Sequence, residues 1–271
     1  MDELSKVIEL KSNFTMYNQK YLLAVCLAVT FLIWLVPFLI GQDAAIFTGD
    51  LFYIPLSVLL VMISIYRVIY ASEKTARIMW VLFTASAIAT LVAEHIWSLD
   101  ELILGAKPFP SYADVGYLLT DLLLIPFFIM FIMPLKHYIS KKMIALAICI
   151  SVSIVISNAY ILIQSDAGIF TIENTLLSAY PILDGIIFFP ASIGIMLFFK
   201  RKTNFFPSMM FFAMLSMMVG DILFQTTDAN GTYYTGSITE LFFYFPFILF
   251  MFGTYDLHQL GKKEDFRVRN T

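Results

Sequence analysis

The sequence is poor in charged residues, and it has no excess of basic ones. Of its 271 residues, 14% are charged and 60% are hydrophobic. Soluble domains are nearer about one quarter charged and half apolar, so a single water-soluble domain is excluded. The formal net charge of −3 argues against a nucleic-acid partner. A disordered chain is excluded as well, because the sequence contains 27 Phe and 14 Tyr.

Metal-binding and nucleophilic side chains are also scarce. The two cysteines, Cys26 and Cys149, lie in apolar segments, where neither a disulfide nor a zinc site is expected. Of the three histidines, only His95 falls near the acidic residues discussed below. The sequence contains no P-loop, Gly-rich dinucleotide turn, nucleophile elbow or HExxH motif. No catalytic residues are therefore predicted, and an enzyme is disfavoured.

Long apolar runs dominate the sequence, whose mean hydropathy is +0.83. A helix that crosses a bilayer needs about 20 mostly apolar residues. Short segments with Gly, Pro, Asn or charged residues separate these runs, as connecting turns require. The sequence thus predicts an all-α, multi-pass integral membrane protein with eight transmembrane helices, over windows 20–40, 51–70, 78–98, 113–135, 143–164, 177–199, 207–226 and 238–257.

The basic residues predict how these helices are oriented. All of the 17 Lys and Arg residues except Lys107 fall in the N-terminal segment, in alternate connections or in the C-terminal segment. Lys and Arg collect on the cytoplasmic side of membrane proteins. We therefore expect a plasma-membrane protein with both termini in the cytoplasm.

Two parts of the sequence resemble each other, which predicts an internal repeat. Residues 24–33 align with 147–156, and at the same offset 43–48 align with 166–171. Each half would contain four helices and insert with the same polarity, as parallel repeats related by a pseudo-two-fold axis along the membrane normal. The predicted halves are 1–142 and 143–271. Three pairs of acidic residues match across them: Asp50 with Asp184, Glu94 with Asp221, and Asp114 with Glu240.

Acidic residues inside the predicted spans indicate a functional site, because a charge at the centre of a membrane helix costs about 2.5–3.5 kcal/mol. The six paired acids are predicted near the outer helix ends, and Asp121 lies about two turns deeper. Asp50, Asp114 and Glu240 are predicted at helix N-termini, where capping is an equal alternative. Glu94 and Asp221 lie near helix C-termini, where the helix dipole disfavours an anion, so this pair is the most informative.

The predicted outer side offers only Lys107 and His95 as cations for these acids. The carboxyl groups must therefore either carry protons or bind a cation, and Ca²⁺ or Mg²⁺ would suit a set of oxygen ligands. Five aromatic residues near this side are expected to form an interfacial aromatic belt, with stacking on a ligand as the alternative: Tyr53, Trp97, Tyr117, Tyr233 and Tyr234. The predicted ligand or cation pocket comprises Asp50, Glu94, His95, Asp114, Tyr117, Asp121, Asp184, Asp221 and Glu240.

A stretch that begins at Trp97 has a distinctive order of residues. It continues through Pro108, Pro110, Asp114 and Tyr117. This order resembles a signature of uncharacterised multi-pass sensory modules that lie upstream of GGDEF, EAL or histidine-kinase domains in bacteria. The resemblance implies that the protein senses something in or outside the membrane. Since no output domain follows the last span, we expect signalling through a separate cytoplasmic or membrane partner.

Three functions remain open at this stage. The first is a receptor-like protein with an outward acidic pocket between two pseudo-symmetric halves. The second is a small transporter coupled to cations or protons, since parallel repeats and intramembrane acids also occur in that class. The third is a non-catalytic structural subunit of a membrane complex, in which the polar groups would join helices.

Overall fold

The computed structural model describes the backbone of residues 2–106, 109–164 and 172–268. Within these ranges, side chains are described for residues 18–255 apart from 158, 161–164, 172–174, 177–178 and 181. Over the described ranges the chain forms eight long helices. They are α1 (Asp2–Ile40), α2 (Gln42–Ile69), α3 (Lys74–Ser98), α4 (Ala113–Ile132), α5 (Lys141–Gln164), α6 (Ile172–Phe199), α7 (Phe205–Ala229) and α8 (Ile238–Val268).

The all-helical prediction is confirmed. Seven of the helices, all except α5, contain a described segment that is long and apolar enough to cross a membrane. Helix α5 is 24 residues long, which is also sufficient to span the hydrocarbon core. These lengths and compositions indicate a membrane protein.

The first connection differs from the prediction. Helix α2 begins at Gln42, not at residue 51, and Gly41 alone separates it from α1. Gly41 has a φ of +146°, a backbone conformation that glycine adopts without the steric cost of a Cβ atom. The polar residues around Asp43 therefore start a helix rather than form a loop, with Asp43 in the first turn, where the helix dipole favours an acid.

Six of the helices form a closed ring. In order around the ring they are α2, α3, α4, α6, α7 and α8, and α8 packs against α2. Helix α1 lies outside this ring against α2 and α8, and α5 packs mainly against α6. The contact of α3 with α4 is close, because a Cβ atom added to Gly116 would lie 2.8 Å from the Cβ atom of Ala93. Small residues commonly permit such close contacts between membrane helices.

The two ends of the bundle differ in their connections. One end, called here the Gly41 end, contains Gly41 and the segments 104–106, 109–112 and 230–237. The other, called the Lys200 end, contains the segments 70–73, 139–140 and 200–204. At the Gly41 end, α3 continues into a π-helical turn, Leu99–Ile103, and such turns are frequent at functional sites.

Candidate functional site

A cavity of about 130 Å³ lies at the centre of the ring, and all six ring helices contribute to its wall. Along α3 its lining extends from Phe83 to Trp97. At 1.5 Å per residue this corresponds to about 21 Å along the helix axis. The cavity is therefore elongated and runs along the bundle from near its middle toward the Gly41 end.

The character of the lining changes along this length. The deeper part contains the apolar side chains of Leu60, Phe83, Leu124, Phe247 and Phe250, and it also contains Asp121 and Asp221. The part near the Gly41 end contains carboxyl and phenol groups: Glu94, Asp114, Tyr117, Tyr233 and Glu240. An amphipathic molecule would find a matching environment at each end of such a cavity.

Four acidic residues near the Gly41 end interact with one another. Glu240 interacts electrostatically with Glu94, Asp50 and Glu101. We call Asp50, Glu94, Glu101 and Glu240 the first carboxyl cluster. It combines residues of α2, α3, the π-helical turn and α8, so it exists only because the ring closes between α2 and α8.

Tyrosine hydroxyls satisfy Glu240. Tyr53 of α2 donates a short hydrogen bond to its Oε2 atom, and Tyr233 donates to Oε1 at 2.6 Å. Tyr233 lies in the connection before α8, and burial raises the pKa of its phenol well above the ordinary value. This phenol therefore stays protonated as a donor to Glu240.

Asp50 and Glu101 are held by different groups. Ser98 donates to Oδ1 of Asp50 at 3.2 Å, whereas Oδ2 is buried and has no hydrogen-bond partner among the described residues. Thr235 donates to Oε2 of Glu101 at 2.5 Å, and the indole of Trp97 donates to the same atom at 3.2 Å. Since α2 begins at Gln42, Asp50 lies inside this helix, and the capping role considered for it is wrong.

Glu94 lies in the cavity wall, where few hydrogen-bond donors are close to its carboxyl group. Its side chain is only 7% exposed, and its carboxyl group is in polar contact with the hydroxyl of Tyr117. It lies four residues before the end of α3 at Ser98, so the helix dipole does not favour its negative charge.

Asp114 lies in the first turn of α4 and has two donors. The backbone N–H of Ser111 donates to its Oδ2 at 2.7 Å, as expected for a carboxylate that stabilises a helix start. The hydroxyl of Tyr180, on α6, donates to Oδ1 at 2.7 Å. Asp114 therefore both stabilises the start of α4 and connects α4 to α6.

A second carboxyl cluster, formed by Asp121, Asp184 and Asp221, lies deeper in the bundle. Asp184 and Asp221 are in polar contact, and Asp121 interacts electrostatically with both. A proton shared between two carboxyl oxygens makes such a contact favourable. Asp121 is 7% exposed and lines the cavity, and among the described residues its carboxyl group has no hydrogen-bond partner.

Four aromatic rings line the polar part of the cavity, and two of them, Phe224 and Tyr233, pack against each other with centroids 4.6 Å apart. The centroid of Trp97 lies 6.2 Å from that of Tyr117, 6.2 Å from that of Phe224 and 6.1 Å from that of Tyr233. The planes of these pairs cross at 66°, 66° and 83°. We call Trp97, Tyr117, Phe224 and Tyr233 the aromatic cage.

The structure brings six of the nine predicted pocket residues to the cavity wall: Glu94, Asp114, Tyr117, Asp121, Asp221 and Glu240. Asp50 and Asp184 are buried beside this wall. His95 does not line the cavity, and its Nδ1 atom lies 2.7 Å from the carbonyl oxygen of Leu91, one turn earlier in α3.

Only some of the residues that carry the resemblance lie at the cavity. Trp97, Asp114 and Tyr117 line the cavity, and Pro110 is exposed. Pro108 and Lys107 lie outside the described residues, as does the segment 166–171 that supported the predicted repeat.

Several site residues did not emerge from the sequence. Tyr53, Tyr180 and Tyr233 each donate to a carboxyl group of another element, although the prediction assigned Tyr53 and Tyr233 to an interfacial belt. Glu101 was not singled out either. Sequence signals existed for Tyr53, three residues after Asp50, and for Tyr180, four residues before Asp184, since these spacings place each tyrosine near the helix face of an acid.

No Lys, Arg or His side chain lies among the described residues that line the cavity. Within the described part of the chain, no three His, Cys, Asp or Glu side chains are placed to hold a metal ion together. The acids are instead distributed along the cavity. Comparison with known proteins finds no matching family model, curated protein or solved structure.

Proposed function

We propose that this protein is a receptor-like, sensory membrane protein that binds a small ligand in the cavity of the helix ring. The observation that carries the proposal is a cavity inside the helix ring with two poorly satisfied carboxyl groups in its wall. Glu94 is in polar contact with Tyr117, and Asp121 has no hydrogen-bond partner among the described residues. Buried polar groups are normally satisfied, because leaving one unpaired costs free energy. A ligand that donates to these carboxyl groups, or that brings a positive charge next to them, would reduce that cost.

The resemblance to sensory modules supports the same function. Three of its five signature residues, Trp97, Asp114 and Tyr117, belong to the cavity wall. The residues that carry the resemblance are thus also the residues that a ligand would contact. In this proposal, a separate cytoplasmic or membrane partner receives the signal at the Lys200 end.

The proposal includes two pseudo-symmetric halves, 1–142 and 143–271, and the order of helices in the ring supports them. A two-fold axis through the cavity would exchange α2, α3 and α4 with α6, α7 and α8, and it would preserve the observed neighbours. Two pairs of acids follow the same rule. Asp50 and Glu94 interact with each other in one cluster, and their counterparts Asp184 and Asp221 interact with each other in the second. The third members do not correspond, because the counterpart of Glu240 is Asp114, whereas the second cluster contains Asp121.

The proposed orientation places the Gly41 end outside the cell and both termini in the cytoplasm. The basic residues support it, because Arg67, Lys136 and Lys200 lie at or near the Lys200 end, and Lys and Arg favour the cytoplasmic side. A ligand from outside would then reach the acidic part of the cavity first.

The test combines ligand binding with a conformational measurement. Spin labels at Ser72 and Lys202, both exposed at the Lys200 end, would be introduced after Cys26→Ser and Cys149→Ser. The distance between them would be measured by electron paramagnetic resonance with calcium, magnesium, hexyltrimethylammonium, 1-hexanol and hexanoate. A receptor requires that at least one probe bind and change this distance, and that Glu94→Gln weaken the response. If no probe changes the distance, or if Glu94→Gln leaves the distance change unaltered, the proposal fails.

A second candidate is a small transporter coupled to cations or protons. The observation that favours it is the presence of acids at two depths of one cavity, Asp114 in the first turn of α4 and Asp121 seven residues deeper. Acids at successive depths are typical of ion pathways. Proteoliposomes that take up labelled hexyltrimethylammonium, or that move protons, in a manner abolished by Asp121→Asn would establish transport instead of sensing.

A further inference from the structure

We propose that the ligand of the cavity is an organic ammonium ion that carries a short apolar group. This inference rests on the proposed function, and it specifies the ligand class of the same site. It follows from three features that converge at one place: a carboxyl group, a cage of aromatic rings and an apolar extension.

The carboxyl group is that of Glu94, at the base of the aromatic cage. Glu94 and Trp97 are three residues apart on α3 and therefore lie on neighbouring positions of one helix face. Tyr117 connects them, since its ring packs 6.2 Å from the centroid of Trp97 and its hydroxyl contacts Glu94. A positive group inside the cage would thus also be close to a negative one.

The aromatic cage is suited to a cation without strong hydrogen-bonding demands. A cation within about 6 Å of a ring centroid is attracted by the electrons of the ring face, and cages of several rings are a known means of binding quaternary ammonium groups. In the described part of the chain no Lys or Arg side chain lines the cavity or occupies the cage. The cage therefore has the arrangement of a cation site without a cation of its own.

A divalent metal ion fits this place less well. Ca²⁺ takes about six to eight oxygen ligands, and Mg²⁺ requires about six in octahedral order. Glu240, the nearest further acid of the cluster, already accepts hydrogen bonds from Tyr53 and Tyr233. Ring faces supply no oxygen atoms, whereas they do stabilise an alkylated ammonium group.

The apolar extension determines the remainder of the ligand. Beyond the cage, the cavity continues between Phe83, Leu124, Phe247 and Phe250, with Asp121 at one side of its wall. Its volume of about 130 Å³ is comparable to an apolar cavity of about 150 Å³ that accepts benzene. A chain of about six carbon atoms is a sensible probe for this size, with the ammonium group in the cage and the chain in the apolar part.

The experiment measures equilibrium binding of hexyltrimethylammonium to the purified full chain, with 1-hexanol and hexanoate as neutral and anionic probes of the same chain length. We expect the ammonium probe to bind about 30-fold more tightly than the alcohol, which corresponds to a desolvated cation–π interaction. Glu94→Gln and Phe224→Leu should each weaken its binding by about tenfold.

Two variants serve as matched controls. Asp43→Asn removes an exposed acid at the same end of the bundle, and Phe212→Leu removes a ring of α7 that does not line the cavity. Both should bind the ammonium probe as the unmodified protein does. Thermal unfolding of each variant without probe shows that it is folded, and Glu94→Gln preserves the size and shape of the side chain.

The outcomes separate this inference from the proposed function. The ammonium inference is wrong if 1-hexanol or hexanoate binds as tightly as the ammonium probe, or if calcium is the only probe that binds. A ligand-binding cavity is still supported in these cases when Glu94→Gln or Phe224→Leu weakens the binding that is observed. If the ammonium probe binds equally to all four variants, its site lies elsewhere and the inference is also wrong. If no probe binds in a manner that depends on cavity residues, the proposed function fails together with it.

Discussion

The hydroxyl group of Tyr180 donates a hydrogen bond of 2.7 Å to the carboxyl group of Asp114 and so joins α6 to α4. On the other side of the ring, Tyr53 of α2 donates in the same manner to Glu240 of α8. Both carboxyl groups lie in the first turn of their helices. Each of the two contacts between the proposed halves therefore contains a hydrogen bond from a tyrosine hydroxyl to a carboxyl group near the Gly41 end.

Removal of the Tyr180 hydroxyl should weaken the contact between α4 and α6. We expect Tyr180→Phe to lower the free energy of unfolding by about 0.6–1.7 kcal/mol, the range for hydrogen bonds between membrane helices. Reversible unfolding in mixed micelles measures this value. Tyr160→Phe is the control, because Tyr160 is 63% exposed on α5 and should change the stability little. Equal effects of the two substitutions would contradict the proposed role of the contact.

The close packing of α3 against α4 should not tolerate an added methyl group. In Gly116→Ala the new Cβ atom would lie 2.8 Å from the Cβ atom of Ala93 and 3.0 Å from the carbonyl oxygen of Ala89. Overpacking of this kind costs about 1–3 kcal/mol. The same unfolding measurement checks it, with Val115→Ile as a control that adds one methyl group at a side chain that is 66% exposed. A stabilised Gly116→Ala variant would show that the helices are farther apart than described.

The deeper part of the cavity should determine which chain length is accepted. Ala87 lies in the cavity wall and is 3% exposed, so Ala87→Leu would fill part of this space. We expect binding of hexyltrimethylammonium to weaken roughly tenfold, because about two methylene groups lose their burial, while binding of tetramethylammonium stays unchanged. Ala145→Leu, at an exposed position of α5, controls for the added side chain. Equal weakening of both ammonium probes would contradict the predicted division of the cavity.

The proposed orientation predicts which connections are accessible from outside the cell. Thr232, at the Gly41 end, and Lys202, at the Lys200 end, are both exposed. In a chain without its natural cysteines, Thr232→Cys should react with a membrane-impermeant maleimide in intact cells. Lys202→Cys should react only after the membrane is permeabilised. The reverse pattern would overturn the orientation inferred from the basic residues.

The sequence predicts the helices better than it predicts their partners. Apolar runs locate the helices, because the length of a spanning segment depends on local composition. The start of α2 is missed, since Gln42 and Asp43 look like loop residues whereas Gly41 alone makes the turn. The cavity acids Glu94 and Asp221 were predicted because a charge in an apolar run is locally visible.

The hydrogen-bond donors of the buried acids are not predictable from the sequence in the same way. Tyr53 and Glu240 are 187 residues apart in the chain, and Thr235 and Glu101 are 134 apart. Such contacts depend on which helices become neighbours, and a single sequence carries no local signal for that. A tyrosine near the end of a membrane helix has the same appearance whether it faces lipid or a buried carboxyl group.

Closure of the ring between α2 and α8 has a consequence for biosynthesis. Helix α8 leaves the ribosome after the other seven described helices, yet it supplies Glu240, the acceptor for Tyr53, and it packs against α2 to close the cavity. Until then, polar groups of the earlier helices face lipid or one another, at an energetic cost. We therefore expect the nascent chain to require protection inside the membrane until α8 is inserted, and chains that terminate before α8 to be degraded by membrane quality control.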